Sequence, residues 1–341
     1  MWHDLYNRFR VFDKGTFKQL EDLKVEKYAL GFDWVAYITN AGNFRVYRNG
    51  QISDITEGAF ITSISENASL LSFTLGKQLD VISGKRNQTL STWAEFVVTS
   101  DSLVFYKDGM QTQYYVYYKG DTYTLDDVSA IDRDFEKRFS LGKNTLAYVN
   151  SSNRLKVLYH GEFYGLSDYS PMLKFVAGQN IVAYTDRDGI NFKAFWQGNV
   201  YDIDINAPLE MMAGNDMITY INMNEELMTF YNGKNYKVDG FRPKTYQCTD
   251  SLIIFTTTNN YTKVWYNGKT YTLDNIIPQK ITASQSKVSW TDRNGWLMLF
   301  DAGKIIEVTK EQVTNPELQG NVLIYTLGRN DTKVFWNGKV Y

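Results

Sequence analysis

The chain has one cysteine, Cys248, two histidines, His3 and His160, and five prolines in 341 residues. A lone cysteine excludes an intrachain disulfide, a state usual in the cytosol and equally permitted in an oxidising compartment. Two histidines and one thiol leave too few soft ligands for a zinc site, and no Cys–His nucleophile pair. Apolar runs such as Ile253-Ile254-Phe255 fall far short of the roughly 20 residues a membrane-spanning helix needs. Charge of one sign is missing as well: 36 Lys plus Arg face 38 Asp plus Glu, a net −2, with no long run of either. That balance removes the electrostatic footprint of a nucleic-acid or anionic-membrane binder. No G-x-S-x-G elbow, phosphate-cradling glycine loop or dinucleotide fingerprint occurs. The opening Met1-Trp2-His3-Asp4 lacks the basic-then-apolar build of a secretory leader. The expectation is therefore a cytoplasmic protein, or the processed form of an exported one.

What is abundant is aromatic: 8 Trp, 25 Tyr and 20 Phe, 16% of the chain, within a total of 43% apolar residues. Residues of this kind favour pleated, half-buried surfaces, so the expected class is all-β. They recur in a cadence. Two aromatic or apolar residues lead into a Gly turn, then a Lys or polar residue and a short alternating strand. Phe230-Tyr231-Asn232-Gly233-Lys234, Trp265-Tyr266-Asn267-Gly268-Lys269 and Phe335-Trp336-Asn337-Gly338-Lys339 show it best. Looser copies place glycine at 15, 50, 84, 120, 161, 198 and 303, a spacing of about 35 residues. A fixed period of this size marks a repeat architecture, which escapes the size limit of a single core because each unit packs only on its neighbours.

One repeat, Lys244 to Asn275, reads as four strands. Lys244–Cys248 is extended, Thr249-Asp250-Ser251 turns, and Leu252–Thr257 is apolar on both faces. Thr258-Asn259-Asn260 turns again, and Thr262–Tyr266 runs to Asn267-Gly268, the two positive-φ positions of a type I′ hairpin. Lys269–Leu273 alternates as the last strand, closed by Asp274-Asn275. The second strand carries a ring in phase nine times, at Tyr37, Phe73, Phe105, Tyr148, Tyr184, Tyr220, Phe255, Trp290 and Tyr325. A ring in every repeat points to wedge filling between units, where a stacking platform for ligands would need only one or two.

Four antiparallel strands per period describe a blade of a β-propeller, and residues 7–341 resemble such repeat proteins. The expectation is a single closed propeller domain over 1–341 with about nine blades, eight to ten being compatible. Residues 1–22 look like the third and fourth strands of a unit and are expected to help close the ring. The Gly-His and Trp-Asp pair of WD40 repeats, the double glycine of kelch and the sialidase box are absent. The Tyr-Asn-Gly-Lys style and the Asn/Tyr/Lys-rich composition are similar to the plug-type periplasmic subunit of the type IX secretion outer-membrane translocon. That resemblance implies a non-catalytic envelope protein capping a protein-conducting pore.

Candidate sites are few. The gap from Gly120 to Gly161 is longest, and its excess falls in residues 126–138. Insertions in repeat proteins map to loops on one face, often the face that binds. Arg133, Phe135 and Arg138, with Asp132, Asp134 and Lys137 beside them, are therefore the candidate partner contacts, since hot spots favour aromatics and Arg. His160 sits in a hairpin slot, a turn position. Carboxylate pairs that sugar-cleaving enzymes would need occur as Asp202/Asp204, Asp186/Asp188, Asp126/Asp127 and Asp132/Asp134. Asp186-Arg187-Asp188-Gly189 shares its slot with Asp292-Arg293-Asn294-Gly295, which argues for turn chemistry. It also resembles a fragment of a calcium loop without the remaining oxygen ligands. The expected function is a protein-binding scaffold without catalysis, cofactor or metal, its partner another protein, with a glycan-binding lectin or glycan-cleaving propeller enzyme as the rival reading.

Overall fold

A computed structural model describes the chain except for residues 5, 57–60, 66–67, 85, 126, 129–137, 169–173, 187–188 and 330. The described residues form strands and turns, with no helix. The strands make ten antiparallel sheets, nine of four strands and one of three, each a simple meander in chain order. The repeat read from sequence is found within a residue: Thr245–Cys248, Leu252–Thr256, Thr262–Tyr266 and Lys269–Asp274.

The hairpins joining third and fourth strands are of the expected type. Asn232, Asn267 and Asn337 have φ of 50°, 49° and 47°, followed by Gly233, Gly268 and Gly338 at 72°, 82° and 76°. Two consecutive left-handed residues match the twist of the flanking strands, which is why Asn-Gly dominates there. His160 takes the same place, with φ 53° before Gly161, so its ring serves a turn.

The nine four-stranded sheets are the nine full units read from the second-strand rings. The tenth is built from the first residues: Trp2–His3, Phe9–Asp13 and Thr16–Glu21. Here the structure adds a strand to the hairpin read from sequence. Asp4 explains the addition, because its carboxylate accepts the backbone N–H groups of Tyr6 (2.9 Å) and Arg8 (3.0 Å) and the side chains of Arg8 and Arg10. The chain is thereby folded back so that Trp2 pairs with Arg10 and His3 with Phe9. The last sheet, ending with Lys339–Val340, has four strands of its own.

The core of the described residues is divided among several clusters. Apolar clusters bridge consecutive sheets: Leu252, Ile254, Val264 and Leu273 pack with Val288, Trp290 and Phe300 of the next sheet. All nine second-strand rings are buried, none more than 2% exposed. Phe44 meets Phe73 at 4.9 Å between ring centres, and Phe192 meets Tyr220 at 5.0 Å, each pair joining neighbouring sheets. The rings thus fill wedges. Edge and tilted aromatic contacts of this kind add about 0.5–1.5 kcal/mol beyond area burial.

Packing divides the chain into two compact units: Met1–Phe139 with Tyr148–Ser152 and Leu158–Phe163, and Ser140–Ala147 with Asn153–Val157 and Tyr164–Tyr341. Within the second unit, the turns between first and second strands stack on one another. Gln179 N–H donates to Gly214 O at 3.1 Å, Asn180 N–H to Asn215 O at 2.9 Å, and Asn215 N–H to Asp250 O at 2.9 Å. This contact is possible only without side chains: a Cβ on Gly142 would lie 1.7 Å from Gly178 O, on Gly178 2.0 Å from Gly214 O, and on Gly214 2.2 Å from Thr249 O. Asn180 bonds Asp216, and Lys143 reaches Asp250, three sheets further along, at 2.6 Å.

Candidate partner-binding site

An antiparallel meander sorts its connections by topology. Turns between strands one and two share an end with the Asn-Gly hairpins. Turns between strands two and three share the other end with the connectors that lead to the next sheet. In the second unit the two ends differ in chemistry. Among the described residues, the hairpin end shows Val200 (50% exposed), Ile305 (46%) and Val340 (50%) just after its glycines, and no large apolar residue above 50%. The opposite end carries Ile205 (78% exposed), Phe241 (72%), Ile190, Met223, Tyr261 and Ile277. Isolated exposed apolar residues need no explanation, but the gathering of the most exposed ones at one end does.

The backbone there is held stiffly by short polar side chains. Asp204 accepts Asn206 N–H at 3.0 Å, Asp239 accepts Phe241 N–H at 3.1 Å, and Asp274 accepts Asn275 N–H at 2.7 Å. These Asx turns recur at 35-residue spacing and fix the direction of each connector. Between strands two and three, Asn222 accepts the N–H groups of Asn224 and Glu226 at 3.0 and 2.9 Å. Met223 therefore sits on a pinned turn. Such a scaffold presents its apolar side chains with little ordering cost on binding.

One pocket opens at this end, with a volume of about 360 Å³. Leu273, Asp274 and Ile276 from one sheet line it with Trp290, Arg293 and Met298 from the next. Asp292 at its edge is occupied locally, accepting the N–H groups of Asn294 (2.8 Å) and Trp296 (2.9 Å). Arg293 is exposed and has no ion pair among the described residues. Trp290 is 1% exposed, and its indole N–H has no hydrogen-bond partner there.

Trp290 differs from three of its equivalents. Tyr37 O–H donates to Glu21 at 2.9 Å, Tyr148 O–H to Asp127 at 3.1 Å and Tyr184 O–H to Leu166 O at 3.3 Å. In each case the ring's polar tip reaches the far end of the preceding fourth strand or the residues just after it. Burial pushes the Tyr37 and Tyr184 hydroxyls well above their ordinary range, which keeps them as donors.

Of the insertion residues proposed from sequence, 132–137 lie outside the described residues. Arg138 is partly buried, and its carbonyl accepts Val149 N–H at 3.0 Å. The start of the insertion is anchored: Asp127 accepts Asn150 Nδ2 at 2.9 Å and Tyr148 O–H at 3.1 Å, and its carbonyl accepts Ser151 N–H at 3.0 Å. The carboxylate pairs do structural work where they are described. Asp186 pairs with Lys193 at 3.1 Å, Asp202 lies 3.8 Å from the same Lys193, and Asp204 caps its turn. Asp126, Asp132, Asp134 and Asp188 lie outside the described residues. No cluster of three or more His, Cys, Asp or Glu suited to a metal ion occurs among the described residues. Sequence reading missed the apolar connector residues, whose signal is an Ile or Phe one to three places after the Asp that ends a fourth strand.

The family profile described as a 10-bladed beta propeller domain matches residues 1–341. The chain belongs to this ten-bladed β-propeller family. The ten sheets, and the ten hairpin glycines from Gly15 to Gly338, agree with that membership. No curated protein matches the chain. Among solved structures it is similar to the computationally designed Ika8 protein, with 16% identity, 82% of this chain and 96% of that one covered, and a TM-score of 0.35. It is also similar to the tricorn protease, with 9% identity, 97% of this chain and 45% of that one covered, and a TM-score of 0.37. Kluyveromyces lactis Hsv2 gives 13% identity, 74% and 99% coverage, and a TM-score of 0.33. Family membership rests on the full-length match alone.

Proposed function

We propose that this propeller is a non-catalytic scaffold that binds another protein through the end carrying the sheet-to-sheet connectors. The observation that carries the reading is that every described large apolar side chain of the second unit more than 50% exposed lies at that end, several of them on turns pinned by Asp and Asn. Apolar residues on a rigid backbone suit a protein surface, where each fully buried side chain contributes roughly 1.5–3 kcal/mol. The test is affinity capture with the full chain from native membranes and lysate, read by mass spectrometry. A variant carrying Ile205→Asp, Phe241→Asp and Ile277→Asp should lose its captured partner. Lys234→Glu, in a hairpin of the opposite end, should keep it. Equal capture by the triple variant and the wild type would end this reading.

A finer proposal places the partner in an outer-membrane secretion translocon and the chain in the periplasm. It rests on the Tyr-Asn-Gly-Lys style of the repeats. Cell fractionation tests it: the chain should co-sediment with outer membranes and be released by the same triple substitution.

A further inference from the structure

We infer that the connectors 204–208, 239–243 and 274–278 form an evenly spaced seat for a basic amphipathic α-helix of the partner, with an apolar residue at every seventh position. This names the partner's chemistry at the end described above and rests on that reading. The starting point is a motif within the repeat. Each connector runs Asp-x-x-x-Pro, ending at Pro208, Pro243 or Pro278, three of only five prolines in the chain. The Asp accepts a backbone N–H just ahead of it and the Pro is buried, so the residues between are fixed at both ends. What they present is the same each time. Ile205, Phe241 and the Ile276-Ile277 pair stand exposed beside a carboxylate that has no ion pair among the described residues.

Spacing selects a helix. Consecutive sheets meet ring to ring along their fourth strands: Tyr201 with Phe230 at 5.5 Å, Tyr236 with Trp265 at 5.8 Å and Tyr271 with Phe300 at 5.2 Å between centres. Such interdigitation belongs to sheets about 10 Å apart, which sets the step from one connector to the next. An α-helix rises about 1.5 Å per residue, so about seven residues, nearly two turns, cover that step and return to the same face. An extended segment covers about 10 Å in roughly three residues, and an odd count turns its side chains to opposite faces. Charge selects the sign. Asp204, Asp239 and Asp274 recur with the apolar residues, while Lys193, Lys237 and Arg242 at this end already hold Asp186, Glu226 and Glu210. Lys or Arg beside each apolar residue of the helix would meet one unpaired carboxylate per connector, and Glu or Asp would be repelled. A wholly apolar helix would desolvate the three carboxylates without replacement.

The experiment uses the full chain and labelled synthetic peptides of three heptads, read by fluorescence anisotropy. The first peptide has Leu at positions one and five of each heptad, Lys at two and four, and Ala elsewhere. The second has the same composition with its leucines at alternate positions, and the third has Glu for Lys. Saturable binding of the first is expected, with the other two at least tenfold weaker. Phe241→Ala, at an exposed side chain that the fold does not need, should weaken the first by about tenfold to a hundredfold, the worth of burying one Phe. Joint Asp204→Asn, Asp239→Asn and Asp274→Asn keeps the turns, since Asn caps the same bend, and should flatten the salt dependence of binding. No saturable binding of the first peptide, equal binding of either control, unchanged affinity in Phe241→Ala or unchanged salt dependence in the Asn variant would overturn the inference. Failure of the peptides, with capture still lost in the triple Asp variant, would strike the helix alone; capture unaffected by that variant would strike the scaffold reading itself.

Discussion

Replacing Gly178 by Ala tests the stacked turns of the second unit most directly. The new Cβ would stand 2.0 Å from Gly214 O and 2.9 Å from Ile181 Cγ2. The first obstacle is backbone, so no side-chain rotation relieves it, and the two turns must separate by about 1.4 Å or more to reach ordinary contact. That displacement carries Gln179 N–H···Gly214 O, now 3.1 Å, and Asn180 N–H···Asn215 O, now 2.9 Å, beyond hydrogen-bond range. Two lost bonds cost about 1–3 kcal/mol, and the strain of overpacking about as much again. The expected loss is about 4 kcal/mol, a fall in Tm on the order of 10 °C. Urea titration followed by tryptophan fluorescence measures it. Gly240→Ala is the control, since its added Cβ meets nothing within 4 Å and its φ is not left-handed. It should be neutral or stabilise by about 0.4–1 kcal/mol through the unfolded chain. Gly142→Ala and Gly214→Ala, at 1.7 and 2.2 Å, should bracket Gly178→Ala in severity. A Gly178→Ala protein as stable as the Gly240→Ala control would refute the stacking of these turns.

Other expectations follow from single groups. Desolvation pushes the Asp4 carboxyl up, but hydrogen bonds from Arg10, the Arg8 and Tyr6 N–H groups and the Arg8 side chain outweigh it and hold it at about 2, against an ordinary 3.8. A depressed folded value means stabilisation that is present above pH 4 and lost as pH falls towards 2. Amide exchange in Trp2–His3 should therefore quicken across that window, and Asp4→Asn should abolish the pH dependence. Burial pushes the Cys248 thiol up from 9.0 to about 11, so about a thousandth is thiolate at pH 8. A disulfide reagent should modify the half-buried Cys248 more slowly in the native than in the unfolded protein, and equal rates in the two states would contradict its placement. Trp265, 2% exposed between Tyr231 and Tyr236, should cost about 3–5 kcal/mol on change to Ala, read by chemical denaturation. Lys143→Met should lower stability by about 1 kcal/mol at low salt and less at high salt, because its partner Asp250 is only partly shielded from water.

Legibility divided along the range of the interactions. The repeat from Lys244 to Asn275 could be read almost to the residue, because alternation, β-branching and Asn-Gly act within a few positions. The strand at Trp2–His3 could not, since it depends on Asp4 gathering two arginines and two backbone N–H groups. The Gly142, Gly178 and Gly214 series is visible at a spacing of 36, but its meaning lies in carbonyl oxygens supplied by the next sheet. The Asp pairs looked like candidate acids in sequence. Their turn and ion-pair partners, such as Lys193 for Asp186 and Asp202, became evident only in space.

The amino-acid order alone determined the all-β class, the unit of four strands, the type of hairpin and the burial of the second-strand rings. These follow from local backbone preference and a period of two, which any neighbouring sheet would respect. Only the tertiary structure decided which end of the sheets shows its most exposed apolar side chains and why Trp290 goes without an acceptor. Both are set by the distance between sheets, where residues some 16 positions apart, such as Asp274 and Trp290, meet across a gap that no local pattern records.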